Sequence, residues 1–271
     1  MKGKVYLVGA GPGDPELVTL KAARVLRNAD VVLHDDLVGA QILEFAPPHA
    51  QRHNVGKRCG NKKISQAEIN FLMVHLASLG LRVVRLKGGD PLVFGRAAEE
   101  IAALRQADID FEIVPGVTAV LGACSSAEIP LTDRRSSHAL IFLAGYHAVE
   151  NDPTNWRAVV SSGATLVIYM PGYQYRTISR KLQAAGLTGE IPCAVVSRAT
   201  TAEEQVFTTD LENLPGAPQL PAPTLLVIGE VVRHGAHNAS LKQSISRNST
   251  LLQNDLPVGP ARSLIDEGRT A

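Results

Sequence analysis

Residues 4–20 read KVYLVGAGPGDPELVTL, and this stretch decides the fold class. The apolar run at residues 5–8 is short and contains β-branched side chains, which indicates a strand rather than a helix. Glycines follow at once. Asp14, Pro15 and Glu16 then supply a helix N-cap, a proline at the first helical position and an acid in the first turn. A strand that passes through a glycine loop into a helix predicts an α/β unit.

The rest of the chain repeats this alternation of strand-like runs and helical patterns. Further apolar runs stand at residues 31–33, 83–86, 111–114, 139–145, 165–170, 194–196 and 224–232. Helical patterns lie between most of them, among them a predicted helix from Asp14 to about residue 28 and another over residues 95–107. Ser65 and Glu68 have the spacing of a capping box, and Gly80 is expected to end their helix. We therefore predict an α/β fold of two α/β domains with largely parallel central sheets.

The boundary between the two domains is predicted at Pro115 and Gly116, because a strand that runs into Pro-Gly is a strong turn signal. The predicted domains are residues 1–115 and residues 116–235. Residues 236–271 are rich in Ser, Asn and Gln and show little periodicity. They are predicted to form a polar, mobile tail.

Composition excludes several classes of protein. Lys and Arg total 27 and Asp and Glu total 26, so a net charge of +1 argues against a broadly basic surface for nucleic acid. The three cysteines are far apart and the histidines lack ligand spacing, which predicts no metal site and no disulfide. No apolar stretch is long enough to span a membrane, and the N-terminal run is too short for a signal peptide. We expect a cytoplasmic protein.

Two glycine loops point to a ligand. Residues 9–13 and residues 87–91 each follow a strand, and ligands of open α/β sheets bind beyond the carboxyl ends of strands. A dinucleotide fingerprint fits poorly, because Asp14 stands where the third glycine belongs and Pro12 lacks an amide donor. Neither loop ends like a phosphate-binding P-loop. A simple turn remains an alternative, and a nucleoside-type ligand without phosphates is the favoured interpretation.

The motifs also resemble those of a known family. VYLVGAGPGDPELVTLKAARVL, VGKR, RVVRLKGGDPLVFGR, VPGVTAV, IPLT, IYM and PTLLVIGEVV occur in the order found in uroporphyrinogen-III C-methyltransferases. The resemblance extends over residues 4–232. It implies that S-adenosylmethionine (SAM) is bound in a cleft between two domains and is converted to S-adenosylhomocysteine. It further implies that uroporphyrinogen III is methylated twice, through precorrin-1, to precorrin-2 for sirohaem, cobalamin or haem d1, in a homodimer.

The resemblance also implies roles for individual residues. The residues expected to bind SAM are Pro12, Gly88, Gly89, Asp90, Val93, Thr118, Ala119, Met170, Ala199 and Thr224. The expected catalytic residues are Asp35 and Lys57, as acceptor and donor of protons, with Arg96 to orient a substrate carboxylate and Glu99 to assist deprotonation. The expected substrate-binding residues are Lys57, Arg58, Arg96 and Arg134.

Residues alone leave other interpretations open. Arg96 and Glu99 also have the spacing of a surface ion pair, and Met170 also suits a core. Five positions depart from the usual family pattern, namely Ala97, Ala98, Asp133, Tyr146 and Pro171. Three alternatives follow: a methyltransferase for another tetrapyrrole or a non-tetrapyrrole substrate, a non-catalytic SAM- or tetrapyrrole-binding homologue, and a dinucleotide oxidoreductase.

Overall fold

The computed structural model describes residues 2–56, 64–145 and 154–236. Lys57, Arg58, Tyr146 and residues 237–271 of the predicted tail lie outside the described residues. The strands are β1 (Lys4–Gly9), β2 (Val31–His34), β3 (Gln51–Asn54), β4 (Val83–Lys87), β5 (Asp110–Val114), β6 (Leu140–Ala144), β7 (Thr165–Tyr169), β8 (Pro192–Ser197), β9 (Gln205–Asp210) and β10 (Thr224–Ile228). The helices are α1 (Leu20–Leu26), α2 (Ala40–Leu43), α3 (Gln66–Ser78), α4 (Ala97–Gln106), α5 (Ala119–Ser126), α6 (Trp156–Ser161) and α7 (Tyr175–Ala184).

The first sheet confirms the predicted parallel architecture. Its strand order is β3-β2-β4-β1-β5, and every neighbouring pair is parallel. Helices cover both faces: Leu26 and Ile42 pack on one side, and Met73 and Leu104 pack on the other. Strand β3 was not predicted, because its sequence QRHN is exposed at the sheet edge and carries no apolar run.

The second sheet is also an α/β sheet, but the expectation that it is largely parallel is wrong. Its order is β6-β7-β10-β8-β9, and only the β6–β7 pair is parallel. The other three pairs are antiparallel. The loop at residues 198–204 joins β8 to β9 and is shorter than the dozen or so residues that a parallel crossover needs. The chain therefore returns as a hairpin.

The first helix is shorter than its sequence pattern predicts. The Asp14 carboxylate accepts a hydrogen bond from the Glu16 amide, but it caps only the 3-10 turn Pro15–Leu17. Val18 is extended, and the Thr19 hydroxyl then accepts from the Ala22 amide to begin α1. The predicted helix from Asp14 to residue 28 is thus interrupted, because two successive caps compete for its first turns.

Other predicted helix signals are confirmed. Ser65 and Glu68 form the capping box of α3: the Ser65 amide donates to Glu68 at 2.5 Å, and the Glu68 amide donates to Ser65 Oγ at 3.2 Å. Gly80 follows the end of this helix with φ of 89°. Helix α4 begins at Ala97 rather than at residue 95, because Arg96 has a left-handed backbone with φ of 57°.

Glycines bring three loops of the first sheet into backbone contact. The Gly89 amide donates to the Gly11 carbonyl at 2.7 Å, and the Gly11 amide donates back at 3.2 Å. A Cβ at Gly116 would collide with the Gly89 carbonyl oxygen and would lie 2.8 Å from the Gly9 Cα. The prediction that the two glycine loops converge is therefore confirmed. The division into domains at residues 115 and 116 stays a prediction.

Within the described ranges, no helix has both the length and the apolarity needed to cross a bilayer.

Replacing Gly116 by Ala is expected to lower the melting temperature by about 3 to 10 °C. The added methyl group must displace backbone atoms, and overpacking of this kind costs about 1–3 kcal/mol. Thermal unfolding followed by circular dichroism measures the change. Gly216→Ala is the matched control, since a Cβ there meets no atom within 4 Å. Equal melting temperatures for the two variants would contradict the importance of this close approach.

Candidate active site

A cavity of about 200 Å³ lies beyond the carboxyl ends of β1, β2 and β4, where residues from both sheets meet. Each of the residues that the family resemblance assigns to SAM contributes to its wall: Pro12, Gly88, Gly89, Asp90, Val93, Thr118, Ala119, Met170, Ala199 and Thr224. Asp35 lines the same cavity. The structure therefore brings these predicted residues together, while their contacts with a ligand stay predictions.

Much of the cavity wall is main chain. Gly88 and Gly89 form one side, and Gly89 has a left-handed backbone with φ of 66°. A Cβ at Gly88 would lie 3.0 Å from the Leu37 side chain, so this side of the cavity has little space for a larger residue. Met170 stands at the opposite wall, 48% exposed, with φ of 52°. It is not the core residue that its sequence also suggested.

Asp90 ties two of the loops together. Its Oδ1 accepts a hydrogen bond from the Leu92 amide at 2.8 Å, and its Oδ2 accepts from the Gly116 amide at 3.0 Å. Gly116 follows β5, whereas Asp90 follows β4. The carboxylate thus joins the loops that follow β4 and β5, the two strands that flank β1, in addition to facing the cavity.

Tyr169 is a cavity residue that sequence reasoning missed. Its hydroxyl lies 2.8 Å from Thr118 Oγ1 and accepts from the Val120 amide at 3.4 Å. Burial raises the pKa of Tyr169, so its phenol stays protonated and neutral. The Phe94 and Phe142 rings pack against it, with centroids 5.0 and 5.6 Å away. Its place at the last residue of a buried strand, directly before Met170, was the available signal.

Asp35 is connected to a buried cluster of charges. The Arg85 guanidinium donates to Asp35 Oδ1 at 2.5 Å, and Arg85 Nε and Lys87 Nζ each lie 3.0 Å from Glu100 Oε1. Burial lowers the pKa of Lys87, and the neighbouring Arg85 charge lowers it further. Sequence reasoning did not single out Arg85, Lys87 or Glu100. The signal was two cations at alternate positions of an otherwise apolar strand.

Arg96 and Glu99 do not line the cavity. They form a bidentate ion pair at the start of α4, with Arg96 Nε and an Arg96 terminal nitrogen donating to the two Glu99 oxygens at 2.7 and 2.6 Å. Both side chains are about half exposed. The i,i+3 ion pair that the sequence left open is therefore present, and their catalytic roles stay predictions. Ala97 is buried and Ala98 is exposed, and neither lines the cavity.

Arg134 is exposed and likewise lies away from the cavity wall. It belongs to a turn that Asp133 organises: the Arg135 amide donates to Asp133 Oδ1 at 2.8 Å, and His234 Nε2 lies 3.0 Å from Asp133 Oδ2. Hydrogen bonds from Arg135 hold the pKa of Asp133 well below its usual range, and the His234 charge contributes less. The departure from the family pattern at Asp133 thus serves a local ion-pair network.

The described residues contain no group of three His, Cys, Asp or Glu side chains placed to hold a metal ion. Cys124 is buried, and burial raises the pKa of its thiol to about 12, so it is not a nucleophile at neutral pH. The cavity wall presents the carboxylates of Asp35 and Asp90, the cation of Lys87 and main-chain groups of the glycine loops.

Sequence comparison identifies the relatives of the chain. The profile of the Tetrapyrrole (Corrin/Porphyrin) Methylases matches residues 4–215. Siroheme synthase 1 of Yersinia enterocolitica is 48% identical over 232 residues, which are 85% of this chain and 49% of that protein. The chain thus spans about half the length of the curated relatives it matches.

Structural comparison agrees. The crystal structure of uroporphyrin-III-C-methyltransferase from Thermus thermophilus has a TM-score of 0.72 and 41% identity, covering 86% of this chain and 94% of that one. The structure of the same Thermus enzyme complexed with S-adenosylhomocysteine has a TM-score of 0.74 and 39% identity, covering 85% of this chain and 99% of that one.

Replacing Asp90 by Asn is expected to expose either the Gly116 amide or the Leu92 amide to hydrogen exchange and to lower the melting temperature by about 3 to 10 °C. An amide group has only one oxygen, so one of the two loop hydrogen bonds is lost, and bonds to a charged group contribute about 1.5–3 kcal/mol. Hydrogen exchange read by mass spectrometry and thermal unfolding measure both effects. Asp110→Asn is the control, because Asp110 is exposed and forms a surface ion pair with Lys4. Unchanged protection at both amides would contradict this role.

Proposed function

The chain belongs to the tetrapyrrole (corrin/porphyrin) methylase family, and on that premise we propose that it uses SAM to methylate uroporphyrinogen III twice, through precorrin-1, to precorrin-2. The observation that supports this proposal most is the single cavity lined by Asp35 and by all ten predicted SAM residues. The 41% identity to the Thermus uroporphyrin-III-C-methyltransferase over nearly its whole length supports the same reaction. The proposal includes a cytoplasmic homodimer, as the family resemblance implies.

The residues of the cavity fit SAM. Main-chain groups of Gly88 and Gly89 allow an adenosine to approach closely, because no Cβ stands in the way. Apolar walls from Val93, Ala119 and Met170 exclude water from the ligand. When bound, SAM supplies a methyl group on a positively charged sulfonium. The nearby carboxylates of Asp35 and Asp90 suit that charge.

Asp35 is the proposed proton acceptor. Methylation at a ring carbon of the macrocycle must be followed by loss of a proton, while the electron pair of the broken bond stays in the macrocycle. Within the described part of the chain, the Asp35 carboxylate accepts one hydrogen bond, from Arg85 to Oδ1. Its other oxygen remains able to receive a proton at the cavity wall. Lys57 is the proposed proton donor.

Basic residues are proposed to bind the polycarboxylate substrate. A planar guanidinium binds a carboxylate with two parallel hydrogen bonds, and Arg96 already holds Glu99 in this way. A substrate carboxylate at Arg96 is proposed to take the place of Glu99 in this bidentate pair, and Glu99 is proposed to assist deprotonation. Arg134, together with Lys57 and Arg58, is proposed to bind other carboxylates of the substrate.

A methyltransferase for another tetrapyrrole or for a non-tetrapyrrole substrate is the second candidate. One observation favours it: the predicted SAM residues line the cavity, whereas the predicted substrate residues Arg96 and Arg134 do not. The structural support for the methyl donor is therefore stronger than the support for the methyl acceptor.

Anaerobic incubation of the whole chain with uroporphyrinogen III and SAM tests the proposal. We expect a coloured dipyrrocorphin product and two molecules of S-adenosylhomocysteine for each tetrapyrrole consumed. Calorimetric binding of S-adenosylhomocysteine without any product would support the second candidate or a non-catalytic homologue. Failure to bind S-adenosylhomocysteine at all would contradict the whole assignment.

The Arg96→Lys variant is expected to lose at least about 10-fold in kcat/KM while it binds S-adenosylhomocysteine normally. Lysine keeps the positive charge but not the two-pronged geometry that a carboxylate requires. Steady-state kinetics with uroporphyrinogen III measure the loss. Arg105→Lys, at the far end of α4, is the matched control and is expected to keep full activity. Unchanged turnover in Arg96→Lys would refute the role given to Arg96.

A further inference from the structure

Strand β4 carries two cations on a buried face. Arg85 and Lys87 are 2% and 3% exposed, and both point toward the helical layer of α3 and α4, because side chains alternate along a strand. Glu100 of α4 faces them and is completely buried. The intervening Leu86 points to the opposite face and belongs to the apolar core.

One oxygen of Glu100 holds the cluster together. Its Oε1 accepts hydrogen bonds from Arg85 Nε and Lys87 Nζ at 3.0 Å each, and from Gln66 Nε2 at 3.3 Å. Its Oε2 is buried and has no hydrogen-bond partner among the described residues. Glu100 therefore forms ion pairs with both cations of β4.

Arg85 is fixed at both ends of its guanidinium. One terminal nitrogen donates to the Leu33 and Leu86 carbonyl oxygens at 3.3 Å each. The other donates to Asp35 Oδ1 at 2.5 Å. Leu33 is in β2 and Asp35 directly follows that strand, so Arg85 binds both the strand and the acidic side chain at its end.

A gain in stability is a weak explanation for this cluster. Removing charges from water costs so much that replacing a buried ion pair by apolar side chains is often neutral or stabilising. Leucines at Arg85 and Lys87 would continue the apolar pattern of β4. Two cations and two carboxylates balance within the cluster, and its members that reach the cavity are Asp35 and Lys87.

We propose that Arg85 is a positioning residue: it holds the Asp35 carboxylate at the cavity wall in the orientation that receives the substrate proton. Glu100 in turn holds the Arg85 guanidinium in place through its Nε. This inference rests on the proposed function, because the role of Asp35 as a proton acceptor is part of that proposal. Arg85 itself does not line the cavity and acts through Asp35.

The competing explanation is purely structural: the cluster only docks α4 onto the sheet. The two explanations differ in what the loss of Arg85 disturbs. A positioning role predicts that the Asp35 carboxylate changes its orientation while S-adenosylhomocysteine still binds, whereas a docking role predicts a shift of α4 and no change specific to Asp35.

The test compares the wild-type chain with Arg85→Met, Arg85→Lys and the double variant Arg85→Met/Glu100→Gln. The double variant keeps the experiment informative if Arg85→Met fails to fold, because it removes one carboxylate together with one cation and leaves Lys87 and Asp35 to balance each other. Arg82→Met is the control, an Arg→Met change just before β4 at an exposed side chain. Circular dichroism and calorimetric binding of S-adenosylhomocysteine establish that each variant is folded and binds this ligand.

We expect the folded Met variants to lose about 100-fold in kcat, the scale of a small misplacement of a catalytic group, with affinity for S-adenosylhomocysteine within about twofold of wild type. Arg85→Lys should recover kcat only in part, since it restores the charge but not the hydrogen bonds at both ends of the guanidinium. Wild-type kcat in a folded Met variant would overturn the proposal, as would a parallel loss of ligand affinity and turnover.

A second measurement does not depend on turnover. In crystal structures with S-adenosylhomocysteine bound, the Asp35 carboxylate should be displaced in the folded Met variant but not in Arg82→Met. An unchanged Asp35 carboxylate would overturn the positioning role even in an active enzyme. A wild-type chain that is inactive toward uroporphyrinogen III contradicts the proposed function, while a displaced Asp35 carboxylate in the Met variant still supports the link between Arg85 and Asp35.

Discussion

The close approach of Gly11, Gly89 and Gly116 is the constraint on which the rest of the site depends. Two reciprocal amide–carbonyl bonds join Gly11 and Gly89, and Gly116 packs against Gly89 and Gly9 without room for a Cβ. These backbone contacts hold together the loops that follow the adjoining strands β4, β1 and β5. Asp90 reinforces the same junction, since its carboxylate binds the Gly116 amide. The glycines are thus required for the packing of the loops, whether or not a ligand is bound.

The sequence predicts the strands that carry an apolar run and misses two that lack a clear one. The unpredicted strands β3 and β9 each lie at one edge of a sheet, and β3 has the exposed polar sequence QRHN, whereas β5 and β6 at the other edges were predicted from their apolar runs. Strand direction in the second sheet was also mispredicted, because β-branched runs look alike in parallel and antiparallel sheets. The short loop between β8 and β9 accounts for the antiparallel direction of that one pair.

The site shows a similar division. The family resemblance gave the residues that line the cavity, and the glycine loops alone indicated that they converge. Neither route found Tyr169 or the cluster of Arg85, Lys87 and Glu100. A charged residue in an apolar strand has no evident role until its partner is known, and the partner of Arg85 lies on a different element, α4. The sequence spacing of Arg85 and Glu100 does not indicate that they are in contact.

The wall of main-chain atoms at Gly88 and Gly89 also affects which parts of the site can change through substitution. A surface made of amides and carbonyls presents the same hydrogen-bonding groups whatever side chains surround it. Substitutions at the exposed Ala98 and Glu99 of α4, or in the turn that holds Arg134, change a separate surface built from side chains. Under the proposed function, a change of methyl acceptor therefore needs no change in the glycine junction.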